Sequence, residues 1–177
     1  MARDRPEANL FELLRVLERH GVRYVVIGAQ AAVIHGVPVI TEDLDITPGK
    51  DGENLERLSR ALGELEPRLR TATDPESVTL HVEAGMLATA DTWSLTTRLG
   101  ELDLAFAPAG TGGYDDLRRG ATLVDLGRGL TVQVAALADV IRSKEAAGRE
   151  KDRAQLPLMR RTLEEIHARE GDRQRKT

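Results

Sequence analysis

Leucines recur at helical spacing near the start of the chain. Leu10, Leu13, Leu14 and Leu17 share one helix face, and Gly21 is placed to end that helix. The short apolar run Tyr24-Val25-Val26-Ile27 reads as a buried strand, Gly28 as a tight turn, and Ala29 onward as a helix. Asp43 and Asp45 then alternate with Leu44 and Ile46, the period of a strand. Residues 48–52 read as a loop, followed by a second amphipathic helix carrying Leu55, Leu58, Leu62 and Leu65. Between 71 and 107 the pattern turns to strands, at 77–82, 92–98 and 101–106, and a turn at Leu99-Gly100 pairs the last two as a hairpin. The Gly-, Pro- and Ala-rich stretch 107–113 is a loop, and Tyr114-Asp115-Asp116-Leu117 opens a short helix with its acidic residues at the favourable end. A second hairpin spans 122–126 and 130–134, closed by Gly127-Arg128-Gly129.

Near the end, Val134, Leu137, Ala138 and Ile141 make a helical stripe, and Leu156, Met159, Leu163 and Ile166 make another. Asp152 is in phase with the second stripe, which points it inward if the helix already runs there. Pro157 allows the other reading, in which the last helix starts anew and Asp152 lies in the connection. The predicted class is α/β, with a core over 1–133 and a C-terminal helical segment over 134–177 packed on it.

Composition narrows the function classes. A chain of 177 residues is one domain, or one domain with a small helical appendage, and can bury a sizeable core. A formal charge of −4 argues against holding nucleic acid by bulk electrostatics. The chain has no cysteine, which removes disulfides and thiolate chemistry. Aromatic residues are only 3% of the chain, so platforms for stacking bases are few. No apolar run approaches the ~20 residues of a membrane span, and the leading MARDRPEANL lacks the apolar stretch of a signal peptide, so the expected setting is cytoplasmic.

Asp43 and Asp45 concentrate the candidate chemistry. On a strand they face the same way, and two neighbouring carboxylates repel unless something neutralises them. A divalent cation with hard oxygen ligands does so, and Mg²⁺ is usually held by one or two carboxylates plus substrate phosphates. An isolated Asp-Leu-Asp is ordinarily a solvated strand edge. What singles this one out is the upstream strand, Gly28 and helix, whose first N–H groups are suited to phosphate.

At this spacing the chain resembles the nucleotidyltransferase superfamily that includes DNA polymerase beta. Ile27-Gly28-Ala29, thirteen residues, then Asp43-Leu44-Asp45-Ile46 follows that signature. Two departures stand out: Ala29 replaces a second Gly or Ser, and Val39 stands where related enzymes commonly carry Arg, although Thr41 is present. The stretch from Leu137 to Asp152, with Ile141, Lys144 and Arg149-Glu150-Lys151-Asp152, is similar to the back end of AbiEii-type enzymes. The resemblance implies a mixed, mostly antiparallel sheet flanked by helices, and a metal-dependent enzyme that moves an NMP from an NTP to a hydroxyl and releases pyrophosphate.

On that resemblance Asp43, Asp45 and Asp103 hold Mg²⁺ or Mn²⁺. Asp103, in Gly100-Glu101-Leu102-Asp103-Leu104, completes the metal site or acts as base toward the acceptor; taken alone it is a solvent-facing residue of a half-buried strand. Gly28, Ala29, Thr41, Lys144 and Arg149 contact the nucleotide, and Asp152 supports the site. Lys144 falls on the inward helix face, where it either meets phosphates or snorkels at the helix end. Thr41 orients a ligand or is simply a β-branched strand residue, and His35 reads as structural. The acceptor implied is a tRNA end, as in toxins with a cognate antitoxin, or a small molecule. Arg15, Arg19 and Arg23, or the tail Arg169, Arg173, Arg175 and Lys176, are available to guide RNA, though such tails are usually solvated and frayed. The competing class is a regulatory module that kept the fold without activity, which the departures favour and the intact carboxylates oppose.

Overall fold

A computed structural model describes residues 9–71 and 79–175. The leucine periodicities fold as expected. Helix α1, Leu10–Arg19, starts at Asn9, whose side chain accepts from the Glu12 N–H (3.1 Å), and buries Leu13, Leu14, Val16 and Leu17. Strand β1, Tyr24–Ile27, runs directly into helix α2, Gly28–Ile34, and β2 spans Asp43–Pro48. Helix α3, Gly52–Leu65, is capped by Asp51 and buries Leu55, Leu58, Leu62 and Leu65. Then follow β3 (Arg68–Leu69), α4 (Ala84–Leu87), β4 (Thr92–Thr97), β5 (Gly100–Ala105), α5 (Tyr114–Gly120), β6 (Thr122–Asp125) and β7 (Thr131–Val134). Helices α6, Leu137–Ala147, and α7, Glu150–Gln174, pack against each other and end the described chain.

Among the described residues the strands form one seven-stranded sheet in the order β3-β4-β5-β2-β1-β7-β6. The pairs β2–β5 and β1–β7 are parallel, and the other four are antiparallel. The expected mixed, mostly antiparallel sheet flanked by helices is therefore what the chain forms. Alternation sorts the sheet's two faces: Leu44, Ile46, Leu95, Leu102 and Leu104 are buried in one core with the leucines of α1 and α3, and the acidic residues between them face the other way. No helix among the described residues is long and apolar enough to cross a membrane.

Several expectations change. The strand read at 77–82 falls partly outside the described residues. In the remainder, Thr79 makes one isolated bridge to Arg68, and the Val82 carbonyl accepts from the Ser59 hydroxyl (2.7 Å) of α3 instead of from a strand. Neither β3 nor α4 was legible, being a two-residue strand and a single turn. Pro48 closes β2, paired with Tyr24, rather than opening the loop. Val134 belongs to β7, not to the helical stripe, because its register partner is Val26 and the next N–H, of Ala135, donates to the Val26 carbonyl (2.9 Å). Helix α7 continues through Pro157 instead of restarting there, so Asp152 sits in its first turn, not in the connection. The basic tail is helical through Gln174 rather than frayed; Lys176 lies outside the described residues.

Candidate active site

Gly28 sets the floor of the site. Its φ of +65° is in the left-handed region, and a Cβ there would stand 2.3 Å from Asp45 Oδ2. The glycine is therefore required twice, for the turn from β1 into α2 and for the room taken by the Asp45 carboxylate. Antiparallel pairing places Ile27 opposite Asp45, which fixes that approach.

The parallel β2–β5 register puts Asp43 beside Glu101 and Asp45 beside Asp103. Residues two apart on a strand share a face, so four carboxylates form a two-by-two array on the side opposite the core. Asp45 is partly buried, and its carboxyl is pushed up to about 6, first by burial and then by the negative charges of Asp103 and Asp43, against the pull of Lys144 and Lys151. Thr41 lies at the edge, where its hydroxyl is 3.4 Å from both the Asp43 N–H and C=O, too long for more than a weak hold.

The opposite wall comes from α6 and α7. Lys144 Nζ donates to Asp152 Oδ1 (2.8 Å) and Arg149 Nε donates to Oδ2 (2.6 Å). Asp152 is completely buried. Burial alone would raise its pKa, but the hydrogen bonds from Lys144 and Arg149 more than offset this and hold the carboxyl below its ordinary range. The Lys144 side chain is only 11% exposed whereas that of Arg149 is 62% exposed, so Lys144 is anchored and Arg149 retains freedom to reach a ligand.

These walls enclose a cleft of about 790 Å³, the size of a small-ligand site. Gly28, Ala29, Thr41, Asp43, Asp45, Asp103, Lys144, Arg149 and Asp152 all line it, so the residues singled out by sequence lie together. His35 does not: its Nε2 is 2.8 Å from the Ala135 carbonyl, tying α2 to the chain after β7. Asp116, at the start of α5, bonds the Gly112 N–H, Arg119 and Arg142, in keeping with a helix-end charge.

Three charged residues were missed. Lys151 lines the cleft and acts electrostatically on Asp45. Its place in Arg149-Glu150-Lys151-Asp152 was the available signal. Glu101 and Arg70 were not recognised. Arg70 donates from Nη1 to Glu101 and from Nη2 to Asp103 Oδ1 (2.5 Å), a contact across β4 that local spacing does not reveal.

The donor set suits a hard divalent cation. Asp43 and Asp45 offer carboxylate oxygens side by side, and the raised pKa of Asp45 reflects burial first and then the neighbouring negative charges, both of which a bound cation would offset. Among the described residues no group of three or more histidine or acidic side chains is placed to hold a metal ion. Two carboxylates completed by substrate oxygens is the arrangement Mg²⁺ usually takes.

No family model and no curated protein matches the sequence. Among solved structures, the chain is similar to a putative nucleotidyltransferase from Thermotoga maritima, known from a 1.87 Å crystal structure, with a TM-score of 0.51 and 19% identity. The similarity covers 88% of this chain and 91% of that one. At that identity the likeness carries the fold: this chain has the architecture of that nucleotidyltransferase-type protein across nearly its whole length.

Proposed function

We propose that the cleft transfers a nucleoside monophosphate from an NTP to a hydroxyl acceptor, with release of pyrophosphate. The observation that carries this reading is the pairing of opposite poles in one cleft: Asp43 and Asp45 on one wall, Lys144, Arg149 and Lys151 on the other. That is the charge pattern a metal–triphosphate requires. The likeness of fold supports it.

Asp43 and Asp45 would hold Mg²⁺ or Mn²⁺. When bound, the cation supplies Lewis-acid stabilisation of phosphate oxygens and lowers the pKa of a nearby hydroxyl. The remaining work falls to the chain itself. Arg149 and Lys151 take the charge of the departing pyrophosphate. Lys144 holds Asp152 ionised in its buried position and contributes positive potential toward the carboxylates, as its downward pull on Asp45 indicates. Gly28 and Ala29 leave space for phosphate beside the Asp pair. Ala29 has no hydroxyl to donate, so binding there relies on backbone N–H groups. In the transfer, the acceptor oxygen bonds to the α-phosphorus, the bond to the bridging oxygen of pyrophosphate breaks, and the hydroxyl proton leaves to a carboxylate or solvent. A tRNA end is the acceptor to test first, and small hydroxylated molecules second.

A thermal-shift titration tests the reading. NTP with Mg²⁺ is expected to raise the melting temperature of the wild type, by about 2.7 kcal/mol in stability at a hundredfold excess over Kd. The same addition should leave Asp45→Ala unchanged. An equal rise in both proteins would place nucleotide elsewhere, and no rise in a folded wild type would favour the non-catalytic module.

A further inference from the structure

Arg70 occupies an unusual position relative to the four carboxylates. Its N–H donates to the Ser94 carbonyl (2.8 Å), extending by one residue the β3–β4 register that pairs Arg68 with Thr96 and Leu69 with Leu95. Ser94 is in turn the register partner of Asp103. Backbone pairing thus aligns Arg70 with the row containing Ser94, Asp103 and Asp45. From there its guanidinium reaches over β4 and forks, one nitrogen to Glu101 and the other to Asp103. The Arg70 side chain is 28% exposed, and those of Glu101 and Asp103 are 20% and 27% exposed. On the opposite side of the cleft, Lys144 and Arg149 are paired with Asp152. Arg70 is thus a cation in hydrogen-bonding contact with both carboxylates of the β5 half of the array, of which Asp103 also lines the cleft beside Asp43 and Asp45.

We propose that Arg70 is a positioning residue. In the nucleotide-free protein it holds Asp103 and Glu101 as a fixed pair and keeps Asp103 out of cation coordination, so that the cation site consists of Asp43 and Asp45. This deepens the proposed function and rests on its cation-dependent reading. A guanidinium is permanently charged, and its planar fork suits two carboxylate oxygens at fixed spacing. Turning Asp103 toward a cation would sacrifice one arm of that fork in a partly buried setting, where breaking an ion pair is costly. The two-carboxylate site that remains needs triphosphate oxygens to complete the coordination, which ties cation binding to nucleotide binding.

Mn²⁺ titration of the nucleotide-free protein, followed by electron paramagnetic resonance of the free ion, tests the proposal without reference to activity. Asp43→Asn is expected to abolish binding, whereas Asp103→Asn should change the affinity by less than about threefold, because a carboxylate held by Arg70 is not a ligand. Arg70→Ala should tighten Mn²⁺ binding by about tenfold, and Arg70→Lys, which retains the charge, should return most of the way to wild type. The gain should vanish in Arg70→Ala/Asp103→Asn, which separates a freed ligand from a general change in local charge. Loss of Mn²⁺ binding in Asp103→Asn to the extent seen in Asp43→Asn overturns the proposal. So does an affinity in folded Arg70→Ala equal to that of wild type. If Arg70→Ala does not fold, the comparison of Asp103→Asn with Asp43→Asn decides. If neither the wild type nor Arg70→Ala takes up Mn²⁺, this proposal fails, and a repeat of the titration with NTP present decides whether the cation-dependent reading fails with it: Mn²⁺ uptake with NTP keeps that reading, and none overturns it.

Discussion

Asp45 is set in a place that resists its charge. Its carboxyl titrates near 6 rather than near 3.8, so between those values the folded chain binds a proton that the unfolded chain has released. Stability contributed by this group is therefore lost as pH rises through that window, and above it the ionised carboxylate costs up to about 3 kcal/mol. Asp45→Asn is expected to raise the melting temperature at about pH 8 by roughly 5 °C, with the advantage gone near pH 4. Differential scanning calorimetry at the two pH values checks this; an unchanged or lower melting temperature for Asp45→Asn at the higher pH contradicts it. Asp152 has the opposite sign. Its lowered pKa gives stability that is present above the ordinary carboxylate range and lost as pH falls through its folded value. Lys144→Ala leaves that buried carboxylate with one fewer partner and is expected to cost about 3 kcal/mol in denaturant unfolding. Lys144→Ala/Asp152→Ala should cost less than the two single changes together, since the pair acts as a unit. An activity loss in Lys144→Ala is consequently informative only beside its stability. The cleft residues visible in the sequence were those with a local rule: alternate positions for Asp43 and Asp45, helical phase for Lys144. Arg70 had none, because its partners lie 31 and 33 residues away and meet it only through the β3–β4–β5 register.

The strand-turn-helix from β1 to α2 is the element on which the site depends most. Gly28→Ala combines a left-handed backbone with a methyl group driven into the Asp45 carboxylate, and is expected to destabilise the fold by about 2 kcal/mol or more. It should also weaken Mn²⁺ binding, because the displaced group is a proposed ligand. Urea unfolding and the same Mn²⁺ titration measure the two effects; wild-type values for both would refute the assignment of Gly28. Elements with a full apolar period were legible from sequence: the leucine faces of α1 and α3, and the β4–β5 and β6–β7 hairpins. Those that depend on distant partners were not. Strand β3 is the clearest case, since it exists because β4 is beside it. Helix α7 passes Pro157 although the ring removes the N–H that would bond to the Arg153 carbonyl, a defect that Leu156 and Met159 tolerate while buried on either side of it.

At the scale of the whole molecule, the sheet brings β1, β2 and β5 together at its centre and leaves α6 and α7 to supply the cations. The net charge of −4 leaves little basic surface for extended RNA contact. If an RNA end is the acceptor, with Arg149 and Lys151 given to the triphosphate and Lys144 to Asp152, contacts to RNA number on the order of two or three phosphates, and RNA affinity should fall only about 10- to 20-fold between 50 and 200 mM salt. Filter binding across that range reports the slope, and a much steeper fall would reveal a basic RNA surface outside the cleft.

The most direct test of the central claim is transfer itself. Folded wild type and Asp43→Asn are incubated with Mg²⁺, each α-labelled NTP in turn, and either tRNA or a panel of small hydroxylated acceptors. The account predicts that label from at least one NTP moves to an acceptor in the wild type, with pyrophosphate released in equal amount, and that both products disappear in Asp43→Asn. Transfer that survives in Asp43→Asn, or no transfer to any acceptor by a wild type that also fails to bind NTP, contradicts it.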